Sequence, residues 1–279
     1  MTKKSNAGAV GAIDVVQDGR LRRAQLKMLR MLEVVDYICQ KHQLDYWLDA
    51  GTLLGAIRHQ GFIPWDDDMD IAMPRASYEA FLRVAPAELP ATMFLQTAHT
   101  DPGFFNMAVP LKIRDTTSRY VEKHEIGNES YIQGIFIDVF VYDKLSANIK
   151  QRKRDKWKAK KLSRLLAGQY SQAVIGHYSY FYRLLGRFLP KSMLEQYLNR
   201  IIQRNNQQIS PYWGRGYQCV GSNCLKHEDI YPLKRMRFET GEFNVPNRFD
   251  LFLSQQYGDY MSLPPQNERT MRHCIELIP

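Results

Sequence analysis

A chain of 279 residues that is 44% hydrophobic can bury a full core, as one large domain or a domain with a sizeable attachment. No stretch approaches the roughly 18 apolar residues needed to span a bilayer. Four cysteines, Cys39, Cys219, Cys224 and Cys274, are too few and too scattered for a disulfide framework. The net charge of +9 points to an anionic partner (nucleotide, phosphorylated glycan, nucleic acid or acidic membrane face) without choosing among them.

Residues 1–18 are small and polar, read as a loose arm, and lack the apolar run of a signal peptide, so a cytoplasmic protein is expected. From Leu21 to His42 the apolar positions Ala24, Met28, Met31, Leu32, Val35, Ile38 and Cys39 recur at helical spacing, which predicts an amphipathic helix. Tyr46-Trp47-Leu48 reads as a short strand ending at Ala50-Gly51. Gly51 to Arg58 then predicts a strand-to-helix turn. Gly51 would let the backbone approach a ligand closely, and Thr52 would cap the helix with its hydroxyl. The free N–H groups of that helix start suit a phosphate. Arg58 and His59 follow, placed to reach a phosphate or sugar, with an ordinary surface pair as the competing reading.

After the tight connection Gly61–Pro64 come Asp66, Asp67, Asp68 and Asp70, four carboxylates within five positions. Like charges so close repel, so some must hold a proton or face a cation. Strand alternation sorts them: Asp66, Asp68 and Asp70 share one face, opposite Met69, Ile71 and Met73. Asp68 and Asp70 would lie about 7 Å apart along a strand and converge on divalent ions. Asp67 points away and reads as structural. A calcium loop is excluded, because Ile71 stands where Gly is needed and Ser77 where Glu is needed.

Further on, Ser77 to Val84 predicts a helix and Thr92 to Thr97 a strand. Residues 109–114 and 118–121 read as a pair of strands, with Lys112 and Arg114 either lining the cleft or keeping an edge soluble. Gly134 to Asp143 is a nearly unbroken β-branched and aromatic run, hence a buried strand. A lone Asp138 in its middle is costly unless paired or bound to metal, which makes it the natural third carboxylate. Asp143, at the strand end, suits a turn or cap. Residues 150–164 carry nine basic side chains against one Asp, and Tyr178 to Leu189 mixes aromatic and aliphatic residues with Arg183 and Arg187. Both read as helices, either with a solvated basic face or as a docking surface for an anionic membrane or lipid-linked acceptor. Strands near 236–239 and 243–246 and a helix from Phe249 to Tyr257 close the chain. Cys219, Cys224 and His227, with His273-Cys274 far away, fit no common zinc spacing.

The segments Tyr46–Met73 and Gly134–Asp143, with the ending Tyr257-Gly258-Asp259-Tyr260-Met261…Pro264-Pro265, resemble the LicD family. Its best-known members are bacterial phosphocholine transferases, with fukutin-type sugar-phosphate transferases as relatives. The resemblance covers most of the chain, and only loosely residues 147–215. It implies an α+β fold of the nucleotidyltransferase (DNA polymerase beta-like) type, a mixed sheet core with a helical insertion. Residues 19–146 would form the catalytic core, 147–215 the basic insertion and 216–279 a part completing core and cleft. Thr52 stands where such folds carry Ser, and the gap to Asp68 is longer than usual.

By the same implication Asp68, Asp70 and Asp138 hold Mg²⁺ or Mn²⁺, with Asp66 as a further ligand. Gly51 and Thr52 hold a phosphate, and Arg58, His59, Lys112 and Arg114 contact substrate. The activity implied is transfer of phosphocholine from CDP-choline to a hydroxyl of a cell-surface glycan (lipopolysaccharide, teichoic acid or capsule precursor, free or lipid-linked), releasing CMP. The work would be done in the cytoplasm, with peripheral contact at the inner face of the membrane. Two alternatives stand beside it. One is transfer of phosphoethanolamine or a polyol phosphate from a CDP donor. The other is a non-catalytic nucleic-acid-binding protein on the same fold, although an intact set of acids would repel a nucleic-acid backbone.

Overall fold

The computed structural model describes residues 19–106, 109–125, 127–169, 179–216 and 224–279; the N-terminal arm and Cys219 fall outside them. Helix α1 (Arg20–Lys41) buries the apolar stripe its sequence announced, from Leu21 through Met28, Leu32 and Val35 to Cys39. It packs against a mixed sheet whose centre is β6 (Phe136–Lys144). The first half of β6 pairs antiparallel with β4 (Leu111–Asp115), and β4 pairs in turn with β3 (Met93–Gln96). On its other side β6 runs parallel to β2 (Asp70–Pro74), which pairs antiparallel with β1 (Trp47–Leu48). The last residues of β6 pair with β7 (Tyr212–Arg215), and β8 (Leu225–Lys226) extends that edge. The result is α+β, with a mixed sheet as expected.

One sheet face is apolar, with Ile71, Met73, Ile113, Ile137 and Val139 all enclosed. Helix α2 (Ala50–His59) joins β1 to β2, and α3 (Arg75–Glu88) follows β2. Two smaller pairs complete the core: β5 (Arg119–Glu122) with β11 (Cys274–Ile278), and the hairpin β9 (Lys234–Phe238)–β10 (Gly241–Val245).

Four expectations need correction. β4 and β5 do not pair with each other; β5 finds its partner at the far end of the chain. β4 is an interior strand, so Lys112 and Arg114 do not lie on an edge and are fully enclosed. The acidic strand begins only at Asp70. Residues 66–69 are not in a strand: the Gln25 amide of α1 donates to Asp66 O, and the ladder with β6 starts only with the bond from Asp138 N–H to Met69 O. Asp143 lies inside β6 and caps nothing. It receives a two-pronged Arg75 guanidinium, at 2.8 Å on each oxygen, and the Asn206 amide at 2.7 Å.

The basic segment is helical as expected, forming α4 (Ile149–Ala167), α5 (Ser179–Arg187) and α6 (Lys191–Asn206). Leu145, Ala159, Leu166, Leu194, Leu198 and Ile201 give it a second apolar cluster. Inside α4, Asp155 is buried against Arg204 (2.7 Å) and Asn205 (3.1 Å). The chain re-enters the sheet at β7, from Tyr212 onward. Short helix α7 (His227–Ile230) and α8 (Phe249–Tyr257) follow. No described helix is long and apolar enough to cross a membrane.

Candidate active site

The acids meet because of strand register. Asp70 stands opposite Asp138 across β2–β6, and Asp138 opposite Lys112 across β6–β4, so these three side chains share one sheet face. Asp68 and Asp66 approach the same point from the segment entering β2. Asp66, Asp68 and Asp70 line a cavity of about 590 Å³ together with Gly51 and Arg58. Asp138 lies directly beside Asp70, in contact with Lys112 rather than in the cavity wall.

Helix α2 is anchored to this strand by two reciprocal bonds. Asp49 N–H donates to Asp70 O at 3.1 Å, and Asp70 N–H donates to the Thr52 hydroxyl at 2.8 Å. Thr52 therefore does not cap the helix. The cap is Asp49, whose carboxylate accepts from Ala50 N–H at 2.9 Å and from Arg215 at 2.8 Å. Gly51 is needed for a close approach, though here by a side chain of the protein: a Cβ at that position would lie 2.7 Å from Oδ2 of Asp66. Gly55 is held likewise, since its Cβ would meet the carbonyl of Gly61 at 2.5 Å.

The electrostatics follow from burial and crowding. Asp70 is pushed well above the usual carboxylate range, first by burial and then by Asp68 and Asp138. Asp66 is raised by burial, Asp68 and Asp67. Asp68 is raised to about 6, chiefly by burial, with His273 pulling the other way. Burial also raises Asp138, against the opposing pull of Lys112, whose ammonium sits 2.8 Å from Asp138 and 3.1 Å from Glu122. Arg215 eases Asp70 but is itself committed to Asp49. Burial, reinforced by the neighbouring carboxylates, thus disfavours the charged forms of these acids, and His273, Lys112 and Arg215 offset that only in part.

Asp67 behaves differently, as expected of a structural residue. Burial would raise it, but hydrogen bonds from the His273 ring and from the His273 and Cys274 backbone bring it below its ordinary value. His273 Nδ1 lies 3.0 Å from Asp67 and 3.3 Å from Asp68, and those carboxylates raise the imidazole to about 9.

Arg58 reaches the cavity rim, donating to the carbonyls of Tyr260 (2.8 Å) and Ser262 (3.2 Å). His59 stands behind it, receiving the Arg58 Nε–H at 3.0 Å and meeting Trp65 edge-on. Arg114 is wholly enclosed. It donates to Gln96 and Gly134 O, and touches the site only through Glu122, 3.5 Å away. The C-terminal part closes the cavity with Tyr257, Asp259, Tyr260, Pro264 and Arg272. Among the described residues Cys39, Cys224 and Cys274 are free thiols, and Cys224 lies against the Arg152 guanidinium rather than in a metal cluster.

Sequence reasoning missed Asp49, Arg215, Glu122 and His273. Asp49 had a usable signal, an Asp immediately before a helix start. The others sit in no local pattern and become neighbours only on folding.

Residues 43–163 match the family model described as LicD/FKTN/FKRP, nucleotidyltransferase domain. The chain is 29% identical over 274 residues to the lipopolysaccharide cholinephosphotransferase LicD of Haemophilus influenzae, covering 92% of this chain and 97% of that protein. Shorter likenesses are to uncharacterized proteins of Rickettsia typhi (38% over 61 residues, 22% of this chain and 20% of that protein) and Rickettsia prowazekii (44% over 48 residues, 17% and 18%).

Proposed function

The chain belongs to the LicD family, and on that premise we propose that it transfers phosphocholine from CDP-choline to a hydroxyl of a cell-surface glycan, releasing CMP. Lipopolysaccharide is the acceptor named for the Haemophilus relative, and we carry that class over to this chain. The observation that carries the reading is the convergence of Asp66, Asp68 and Asp70 on one cavity, with Asp138 in register beside Asp70 and the start of α2 at its wall. The nucleotidyltransferase-type fold belongs to the same reading.

The donor set fits a hard divalent cation: all oxygen, from buried and crowded carboxylates whose charged forms lack full compensation from their partners. Asp68, Asp70 and Asp138 would hold Mg²⁺ or Mn²⁺, with Asp66 as a further ligand. Such an ion supplies charge neutralisation at the donor diphosphate and makes the acceptor hydroxyl more acidic. The protein's own groups do the rest. Lys112 is held between Asp138 and Glu122, so it fixes the Asp138 carboxylate rather than meeting substrate directly. Arg114 supports Glu122 from behind. Arg58 sets a cation at the rim, in place for the leaving CMP phosphate, and His59 steadies it. Gly51 lies in the cavity wall at the start of α2, where the helix amides not taken by Asp49 would meet the diphosphate. Trp65, Tyr257 and Tyr260 give the cavity aromatic faces. A quaternary ammonium has no N–H to donate and is held by such faces, which favours choline over ethanolamine as the head group. The acceptor oxygen attacks the phosphorus bearing choline, the bond to the bridging oxygen of CMP breaks, and the acceptor proton passes to a site carboxylate or solvent.

The test is CMP formation from CDP-choline with Mg²⁺ and a lipopolysaccharide acceptor. Acceptor-dependent CMP release that is lost in Asp68→Ala and Asp138→Ala is expected. Absence of release with every CDP donor would overturn the reaction, and full activity in either variant would overturn the site.

A further inference from the structure

Away from the cavity, helix α5 carries its apolar residues on the wrong side for a core. Phe181, Leu184, Leu185 and Phe188 are 69%, 49%, 41% and 78% exposed, and their spacing of 0, 3, 4 and 7 places them on one helical face. The opposite face is the one that packs. Gly186 lies against the Leu165 carbonyl of α4 so closely that no Cβ fits, and Tyr182 lies under the Arg164 guanidinium. Gln169 caps the end of α5 by donating to the carbonyls of Gly186 and Leu189. The helix is therefore held with its apolar stripe outward. Its neighbour α4 buries Asp155, Ala159, Ser163 and Leu166 on one side. By helical rotation Lys150, Lys153 and Lys160 fall on the other, around the exposed Trp157.

We propose that the apolar stripe of α5 and the adjoining basic face of α4 are a peripheral docking surface for an anionic phospholipid bilayer. A soluble protein has no use for two exposed phenylalanines and two leucines along about two turns of one helical face. A bilayer interface takes such a stripe into the acyl boundary, while lysines and arginines beside it stay at the headgroups. Charge complementarity selects the lipid. Residues 150–164 carry nine basic side chains against one Asp, and that Asp is buried in a pair with Arg204, so the face turned outward is uniformly positive. Neither element alone suffices for a lasting bilayer contact, and here the two occur together. The inference is independent of the transfer reaction, which it would serve by bringing the protein to lipid-linked acceptors.

The experiment is flotation of the full chain with vesicles of phosphatidylcholine, with and without phosphatidylglycerol. Binding only to the anionic vesicles, weakened by salt, is expected. The double variant Phe181→Ser/Phe188→Ser should bind about tenfold more weakly or worse. Lys150→Ala/Lys153→Ala/Lys160→Ala should lose affinity on the order of 100-fold. None of these side chains is buried, and circular dichroism checks that the variants remain folded. No flotation with anionic vesicles, or flotation unchanged in both variants, overturns the proposal. So does a dimer in light scattering that Phe188→Ser splits while vesicle binding is absent, since the stripe would then belong to a second copy of the chain.

Discussion

Replacing Thr52 by Val isolates the link between helix α2 and the acidic strand. The two side chains have the same shape, but Val cannot accept the Asp70 N–H that the Thr52 hydroxyl takes at 2.8 Å. Both residues are buried, so no water replaces the lost acceptor. An orphaned buried N–H costs about 1–3 kcal/mol, which for a chain of this size lowers Tm by roughly 2–10 °C. Asp70 is then anchored on one side only, through its carbonyl and Asp49 N–H. Loosening a ligand-bearing carboxylate by even a fraction of an ångström should lower kcat about tenfold, while KM for the glycan changes little. Thr52→Ser keeps the hydroxyl and should recover most of both losses. Scanning fluorimetry and CMP release read the two effects. A Val variant as stable and active as the parent would refute the reasoning. A Ser variant as impaired as Val would also refute it, by assigning the role to the methyl group.

Asp143→Ala strands the Arg75 guanidinium in the interior without its two-pronged partner, and should cost about 3–5 kcal/mol in urea titration; a loss below about 1 kcal/mol would contradict the pairing. Gly51→Ala sets a methyl 2.7 Å from Oδ2 of Asp66, so Mn²⁺ affinity measured by calorimetry should fall about tenfold or more while Tm moves little. Unchanged affinity would remove Asp66 from the site. Glu239 supplies the pH dependence. Its carboxylate is held below its ordinary 4.5 chiefly by the hydrogen bond from Arg22, and also by Phe62 N–H. A depressed folded-state value means stability that is present above pH 4.5 and is lost as pH falls through the folded-state value. The Tm gap between the parent and Glu239→Gln should accordingly narrow from pH 7 towards pH 3, and a constant gap would count against the pairing.

What the sequence could reveal was set by how local each signal is. Asp138 stands out because a charge inside an apolar strand has few explanations, and the structure seats it beside Asp70. The alternation of Lys112 and Arg114 was equally plain, but its meaning was not. Whether a strand is interior or at an edge depends on partners far along the chain, and the nearby β5 turned instead to β11. Thr52 was misassigned because a hydroxyl after a glycine looks like a cap, while Asp49, three residues earlier, had already satisfied the first amide of α2. Strand periodicity put Asp66, Asp68 and Asp70 on one side for a reason that fails in detail, since residues 66–69 are not in a strand; the segment leaving the turn at Pro64-Trp65 brings them to the same cavity. His273 had no spacing to betray it and enters only because β11 starts beside Asp67.

The pairing of Lys144 with Trp213 has a consequence for how such proteins diversify. Because β6 and β7 are antiparallel neighbours, helices α4 to α6 are topologically one oversized hairpin loop, leaving and rejoining the sheet at adjacent points. The entropy of closing a loop rises only slowly with its length. Helices α4 and α5 can therefore be lengthened or recharged there while α6 keeps Asn206 on Asp143, and Asp138 lies on the part of β6 that pairs with β2 and β4. Whatever the loop recognises can change between lineages while the carboxylates stay where they are.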